Sequence, residues 1–195
     1  MNRLLILFIF LFVSFMSFQF IISKNSKNLS SNRYQIIEKF KEFEIRKYES
    51  LFVASNKVNT SLYDKGSSYG FRTLANYIFG QNNKAQKIPM TSPVIMDMKD
   101  SIVMSFIMPK NINEGSVPKP LDSRVKLELR PSEIFAVIRF SGWASDKKIQ
   151  KKTTELKSLL SREKIKYFGD AVYFGYNPPY QMVNRRNEIA IRVIY

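Results

Sequence analysis

Lys87-Ile88-Pro89-Met90-Thr91-Ser92-Pro93-Val94 follows closely on Gly70-Phe71-Arg72-Thr73-Leu74-Ala75-Asn76-Tyr77-Ile78-Phe79-Gly80, and the fold turns on these two pieces. In the upstream piece Phe71, Leu74, Ala75 and Ile78 recur at i, i+3, i+4 and i+7, which predicts a helix over residues 67–79. Gly80 is its natural stop. A polar loop, residues 81–86, leads to Pro89 and Pro93, which fix the backbone before a strand begins at Val94. Met90 between them reads as a core gap-filler.

Outward from there the pattern changes to short strands. Upstream, residues 34–38, 42–48 and 51–58 read as strands, with Glu49-Ser50 a tight turn between the last two. Downstream, residues 94–97 and 102–108 flank a polar turn at Lys99-Asp100. The second half repeats the plan. Residues 125–129 and 134–140 are strands joined by Arg130-Pro131-Ser132-Glu133. Residues 146–162 form a helix with Ile149, Thr153, Leu156, Leu159 and Leu160 inward. Residues 171–176 and 188–195 are the last strands. Asp146 falls near the N-terminus of its helix, where a carboxylate suits both the cap and the dipole. Residues 45–54 parallel residues 127–137, so the chain reads as a pseudo-duplicated hairpin-helix-hairpin unit. Residues 111–123, with Gly115, Pro118 and Pro120, link the halves. Antiparallel strands with helices on one side make an α+β fold.

Composition removes whole classes of chemistry. The 195 residues contain no cysteine and no histidine. Disulfides, thiolate ligands, thiol nucleophiles, Ser-His-Asp triads and zinc sites built on Cys or His are all excluded. The net charge is +15. Three basic residues and no acid precede residue 33, which leaves 28 basic and 16 acidic groups, or +12, on the rest. Such a surface attracts anionic headgroups or carboxylate ligands. It carries no run of five like charges and no basic stripe interleaved with aromatics, so no nucleic acid partner is expected.

Residues 4–22 are apolar except Ser14, Ser17 and Gln19, and hold no charge, glycine or proline. As a helix this run spans ~28 Å, close to a bilayer core of ~30 Å. A cleaved signal peptide needs small residues at −3 and −1. Ser14, Ser17 and Ser23 each have Phe or Ile at −3, so a single-pass uncleaved N-terminal anchor is favoured. The expected organisation is an anchor or signal segment over residues 1–23, a polar tether over 24–33 and a folded domain over 34–195. Basic residues lie on both sides of the span, Arg3 before and Lys24 and Lys27 after. Placement at the extreme N-terminus favours export of the domain to the periplasmic or extracellular side.

Residues 177–186 are the least ordinary loop. They hold two prolines, Tyr180, Met182 and Val183, and close on Arg185-Arg186. A stiff apolar loop beside arginines suits a flat apolar ligand bearing carboxylates, because the guanidinium fork matches a carboxylate. The alternative is that Tyr180 and Met182 cap the core and the arginines pair with nearby acids such as Glu188.

Five pieces resemble the SOUL family, the haem-binding-protein family. They are the helix with Lys87–Val94, then Arg139-Phe140-Ser141-Gly142-Trp143, Tyr176-Asn177-Pro178-Pro179-Tyr180 and Arg185-Arg186-Asn187-Glu188, in family order from Tyr34 to Tyr195. The resemblance implies a distorted antiparallel β-barrel of about eight strands flanked by two helices. It further implies non-covalent binding of haem or another tetrapyrrole, as carrier, buffer or sensor, in a groove between the first helix and the late loop. On matching positions the groove involves Phe71, Arg72, Leu74, Ala75 and Ile78 with Pro179, Tyr180, Met182, Arg185 and Arg186. Of the helix residues, Arg72 and Asn76 lie off the apolar stripe and face a ligand best. Some members are proposed to ligate haem iron through histidine, which this chain lacks. Two other readings stand beside this one. One is a protein- or membrane-interaction module, with protein partner unknown. The other is an enzyme acting on a hydrophobic small molecule, which no acid pair in the sequence supports.

Overall fold

A computed structural model describes residues 7–17, 19, 33–178 and 180–195. In chain order these hold a helical N-terminal stretch, residues 7–17, then β1 (Tyr34–Lys39), β2 (Glu44–Tyr48), β3 (Leu51–Val58) and α1 (Tyr63–Ile78). They continue with β4 (Val94–Met98), β5 (Ile102–Ile107), β6 (Val125–Arg130), β7 (Glu133–Phe140), α2 (Asp146–Arg162), β8 (Tyr167–Gly175) and β9 (Asn187–Val193). All nine strands join one antiparallel sheet in the order β1-β2-β7-β9-β8-β4-β5-β3-β6. The sheet curls into a distorted half-barrel, the α+β architecture expected.

The order of elements repeats between the halves, but the pairing is exchanged. β4–β5 and β8–β9 are hydrogen-bonded hairpins. The expected hairpins at Glu49-Ser50 and at Arg130–Glu133 are not. β2 pairs with β7, Tyr48 opposite Glu133, and β3 pairs with β6, Leu51 opposite Arg130. At each of these two places the chain passes from one half of the sheet to the other. Apolar alternation assigns a strand its faces and says nothing of its neighbour, so the exchange was invisible in the pattern.

α1 packs chiefly on β3, β5 and β6, and α2 on β7, β8 and β9. The larger core lies under the helices, with Leu74, Tyr77, Ile78, Met104, Phe106, Leu156 and Ile189 fully or nearly buried. A smaller cluster of Tyr48, Val53, Ile107, Phe135, Phe174 and Tyr176 fills the opposite face of the sheet. Asp146 does not cap its own helix. Ser145 is the N-cap of α2, its Oγ accepting from Lys148 N at 3.4 Å. The Asp146 carboxylate accepts from Tyr63 N at 2.6 Å and Asp64 N at 3.2 Å, the first turn of α1. That cap, supplied from the other half, starts α1 a turn earlier than the apolar stripe predicted.

Residues 7–17 are helical and exposed. Among the described residues no helix is long and apolar enough to cross a membrane. Both ends of the expected span, residues 4–22, and nearly all of the tether lie outside the described residues.

Candidate functional site

The chain between β8 and β9 has few strand partners, so its backbone must be held by side chains. Tyr176 N bonds Arg186 O at 3.3 Å and closes the base. Asn177 accepts from Arg186 N at 2.5 Å and donates to Gln181 Oε1 at 2.9 Å. Gln181, fully buried, donates to Val183 O at 2.9 Å. Arg185 Nη1 donates to Pro178 O at 3.0 Å and to Gln181 O at 2.6 Å. Its guanidinium lies 4.2 Å over the Trp143 ring, and its Nε is buried with no hydrogen-bond partner. Among the described residues Arg185 has no carboxylate partner. Burial pushes its guanidinium below its ordinary pKa, opposed by the neighbouring Tyr173 and Tyr63 phenols.

Arg186 turns the other way. Successive residues of an extended chain point to opposite faces. Arg186 donates through Nε and Nη2 to Glu188 Oε1 at 2.9 and 2.8 Å, through Nη2 to Tyr34 Oη at 3.2 Å, and covers the Tyr176 ring at 3.9 Å. Glu188, fully buried, also takes Arg46 Nη1 at 2.9 Å and Tyr176 Oη at 2.9 Å. The pairing with Glu188, the alternative read from sequence, is therefore what Arg186 does. Arg185 and Arg186 do not converge on one ligand: Arg185 belongs to the helix side and Arg186 to the opposite face.

Around Arg185 the structure gathers Trp143, Tyr63, Tyr173 and the N-terminal ends of both helices. Tyr63 and Tyr173 meet edge-on at 5.0 Å. Tyr173 Oη donates to Asn187 Oδ1 at 2.7 Å, and Asn187 Nδ2 donates to Gly142 O at 2.7 Å. Lys148 Nζ holds Ser141 O at 2.7 Å. Gly142 adopts φ +77°, a turn that suits glycine and tips Trp143 outward. Trp143, Tyr180 and Met182 are 52%, 63% and 56% exposed, which leaves an apolar aromatic surface beside a buried cation. The role of Trp143 was hidden in the sequence, where Ser141-Gly142-Trp143 lies far from the loop. Pro179 lies outside the described residues.

The α1 residues fall elsewhere. Leu74, Ala75 and Ile78 are buried core, and half-buried Phe71 stacks edge-on against Phe106 at 5.3 Å. Arg72 and Asn76 are exposed on the outer face of α1, away from the core side that carries Tyr63. The end of α1 that approaches Arg185 is Tyr63, not the residues 71–78 expected from sequence. Among the described residues there is no group of three or more His, Cys, Asp or Glu placed to hold a metal ion. On the helix-free face a separate small cleft is walled by Tyr34, Tyr48, Phe135 and Phe174. Of its lining ions, Arg130 pairs with Asp97 at 2.6 Å and Glu133 with Arg192.

The model of the family described as SOUL heme-binding protein matches residues 29–192 of this chain. The chain belongs to that family. Its SOUL domain is 34% identical over 157 residues to the Homo sapiens protein named Heme-binding protein 2, covering 75% of this chain and 76% of that one. It is 30% identical over 158 residues to the Xenopus laevis protein named Heme-binding protein 1, covering 75% and 81%. Among solved structures, the C-terminal domain of EcmrR superposes on the SOUL domain with TM-score 0.60 at 9% identity, covering 83% of this chain and 98% of that one. A hydrolase from Listeria innocua superposes with TM-score 0.52 at 9% identity, covering 81% and 94%. These two likenesses are of fold alone.

Proposed function

We propose that this SOUL domain binds haem or a related tetrapyrrole without a covalent bond, at the surface formed by Trp143, Tyr180, Met182 and Arg185. It serves as carrier, buffer or sensor, not as a catalyst. The observation that carries the reading is Arg185, a buried guanidinium without a carboxylate, its Nε unpartnered, beside exposed apolar rings. A propionate supplies the missing acceptor and charge, and the macrocycle covers the exposed side chains. Relatives named as heme-binding proteins support the same ligand. The chain has no histidine or cysteine, so an iron ligand, where one engages, is a Tyr, Met or Lys rather than an imidazole or thiolate, and recognition draws on ring contact and propionate pairing. Two carboxylates beside the site, Asp64 and Asp146, are engaged at the helix N-termini.

The test is titration of the full chain in detergent with haemin and, in parallel, with metal-free protoporphyrin, followed by quenching of Trp143, the one tryptophan. Saturable one-to-one binding of both with similar affinity is expected. Failure of both to saturate removes the reading.

The domain is held to a membrane by residues 4–22 and faces the exported side. Flotation of the full chain with vesicles checks the tether. Because the chain has no cysteine, Ser123→Cys places a single thiol at an exposed position of the domain. Labelling of intact cells by a membrane-impermeant maleimide is expected; labelling only after lysis reverses the orientation.

A further inference from the structure

Residues 7–17 carry their apolar side chains uncovered. Phe8 is 73% exposed, Phe10 70%, and even Met16 43%. The described residues leave much of this apolar surface uncovered, so it needs another cover. Gln19, two residues beyond this helical stretch, behaves differently. It is 2% exposed. Its Oε1 accepts from Met182 N at 2.9 Å and its Nε2 donates to Tyr180 O at 3.4 Å. An amide in an apolar span is costly unless its donor and acceptor are both met, and the β8–β9 loop meets both. Gln19 lies three residues from the end of the apolar run of residues 4–22. The loop that grips it is therefore drawn to the depth at which that run ends.

We propose that the tip of the β8–β9 loop, Tyr180 and Met182, together with Trp143, rests at the lipid–water boundary, so that the tetrapyrrole site opens onto the bilayer and exchanges its ligand with the membrane directly. This rests on the membrane-tethered, tetrapyrrole-binding reading above. Tryptophan and tyrosine are side chains that settle at that boundary, apolar body inward and polar edge outward. The +12 charge of residues 33–195 favours an anionic surface. An amphiphilic macrocycle with apolar rings and anionic propionates partitions into the same layer.

Trp143 reports the contact without interference. The full chain, free of haem, is placed in nanodiscs made with lipids brominated either near the headgroup or at the chain ends. Bromine near the headgroup is expected to remove most Trp143 emission, and aqueous iodide little of it. Emission indifferent to bromine and quenched by iodide overturns the proposal, and does so whether or not haem binds. Gln19→Leu keeps the span apolar and removes both bonds to the loop. It should still float with vesicles but lose headgroup-bromine quenching; unchanged quenching overturns the role given to Gln19. In stopped flow, haemin transfer from the loaded chain to empty vesicles should speed up in proportion to vesicle concentration. A rate independent of vesicle concentration means release through water and overturns direct exchange. Failure to float or to bind haemin would instead count against the tether or the ligand.

Discussion

Arg185 and Arg186 are neighbours in sequence with different work. Arg185→Leu is expected to weaken haemin and protoporphyrin binding about ten- to a hundredfold, the loss of a charged hydrogen-bonded contact of ~1.5–3 kcal/mol. The same change also frees Pro178 O and Gln181 O, so a control is needed. Protoporphyrin dimethyl ester has no carboxylate, and it should bind wild type and variant alike if propionate pairing is what was lost. On the other face, Glu188 is fully buried and lies 2.9 Å from the equally enclosed Arg46. Arg46→Met removes one counter-charge from that enclosed group and should lower unfolding free energy by about 3 kcal/mol in a urea titration, with little effect on tetrapyrrole affinity. The arginine pair is legible in sequence as chemistry, whereas the separation of the two onto opposite faces depends on the extended backbone of the loop.

The two helices are tied to each other through their N-termini. Asp146 Oδ1 and Oδ2 take Tyr63 N and Asp64 N, and Asp146 N in turn reaches Asp64 Oδ2 at 3.5 Å. Asp146→Ala should cost about 1 kcal/mol, as loss of an N-cap does, and lower Tm by roughly 2–4 °C. The diagnostic readout is where the loss falls. Amide hydrogen exchange should quicken at Tyr63 and Asp64 in α1, while Lys148 N, capped by Ser145, stays protected. An increase confined to α2 would contradict the cross-cap. The start of α2 and the stripe of α1 were legible because periodicity is local; the true start of α1 was not, because its cap lies 83 positions away.

Over the whole sheet, the exchange of β2 and β3 between halves joins them into one folding unit, since neither half contains its own complete set of strand pairs. Ion pairs cross the same joins. Burial alone would raise the Asp97 carboxyl, but Arg130 and Arg192, bonded to it from β6 and β9, hold it below the ordinary carboxylate range. A group depressed in the folded state contributes stability above its unfolded pKa of ~3.9 and loses it as pH falls through the folded value. Thermal melts should therefore show Tm falling below about pH 4, and Asp97→Asn should flatten that fall. Burial raises the Tyr77 phenol, bonded to Pro118 O at 2.8 Å, to about 12. Its contribution is complete below pH ~10 and is lost between there and about 12, so Tyr77→Phe should reduce the alkaline decline. The class of fold, a segment for each of the nine strands, the apolar N-terminal run and the exclusion of histidine and cysteine chemistry were readable along the chain, because periodicity and composition need no knowledge of distant contacts. Which strands pair, that Asp146 caps the other helix, and that Arg185 meets Trp143 while Arg186 meets Glu188 emerge with the folded chain. Those contacts join residues far apart in the chain, and nothing in the local pattern selects one distant partner over another.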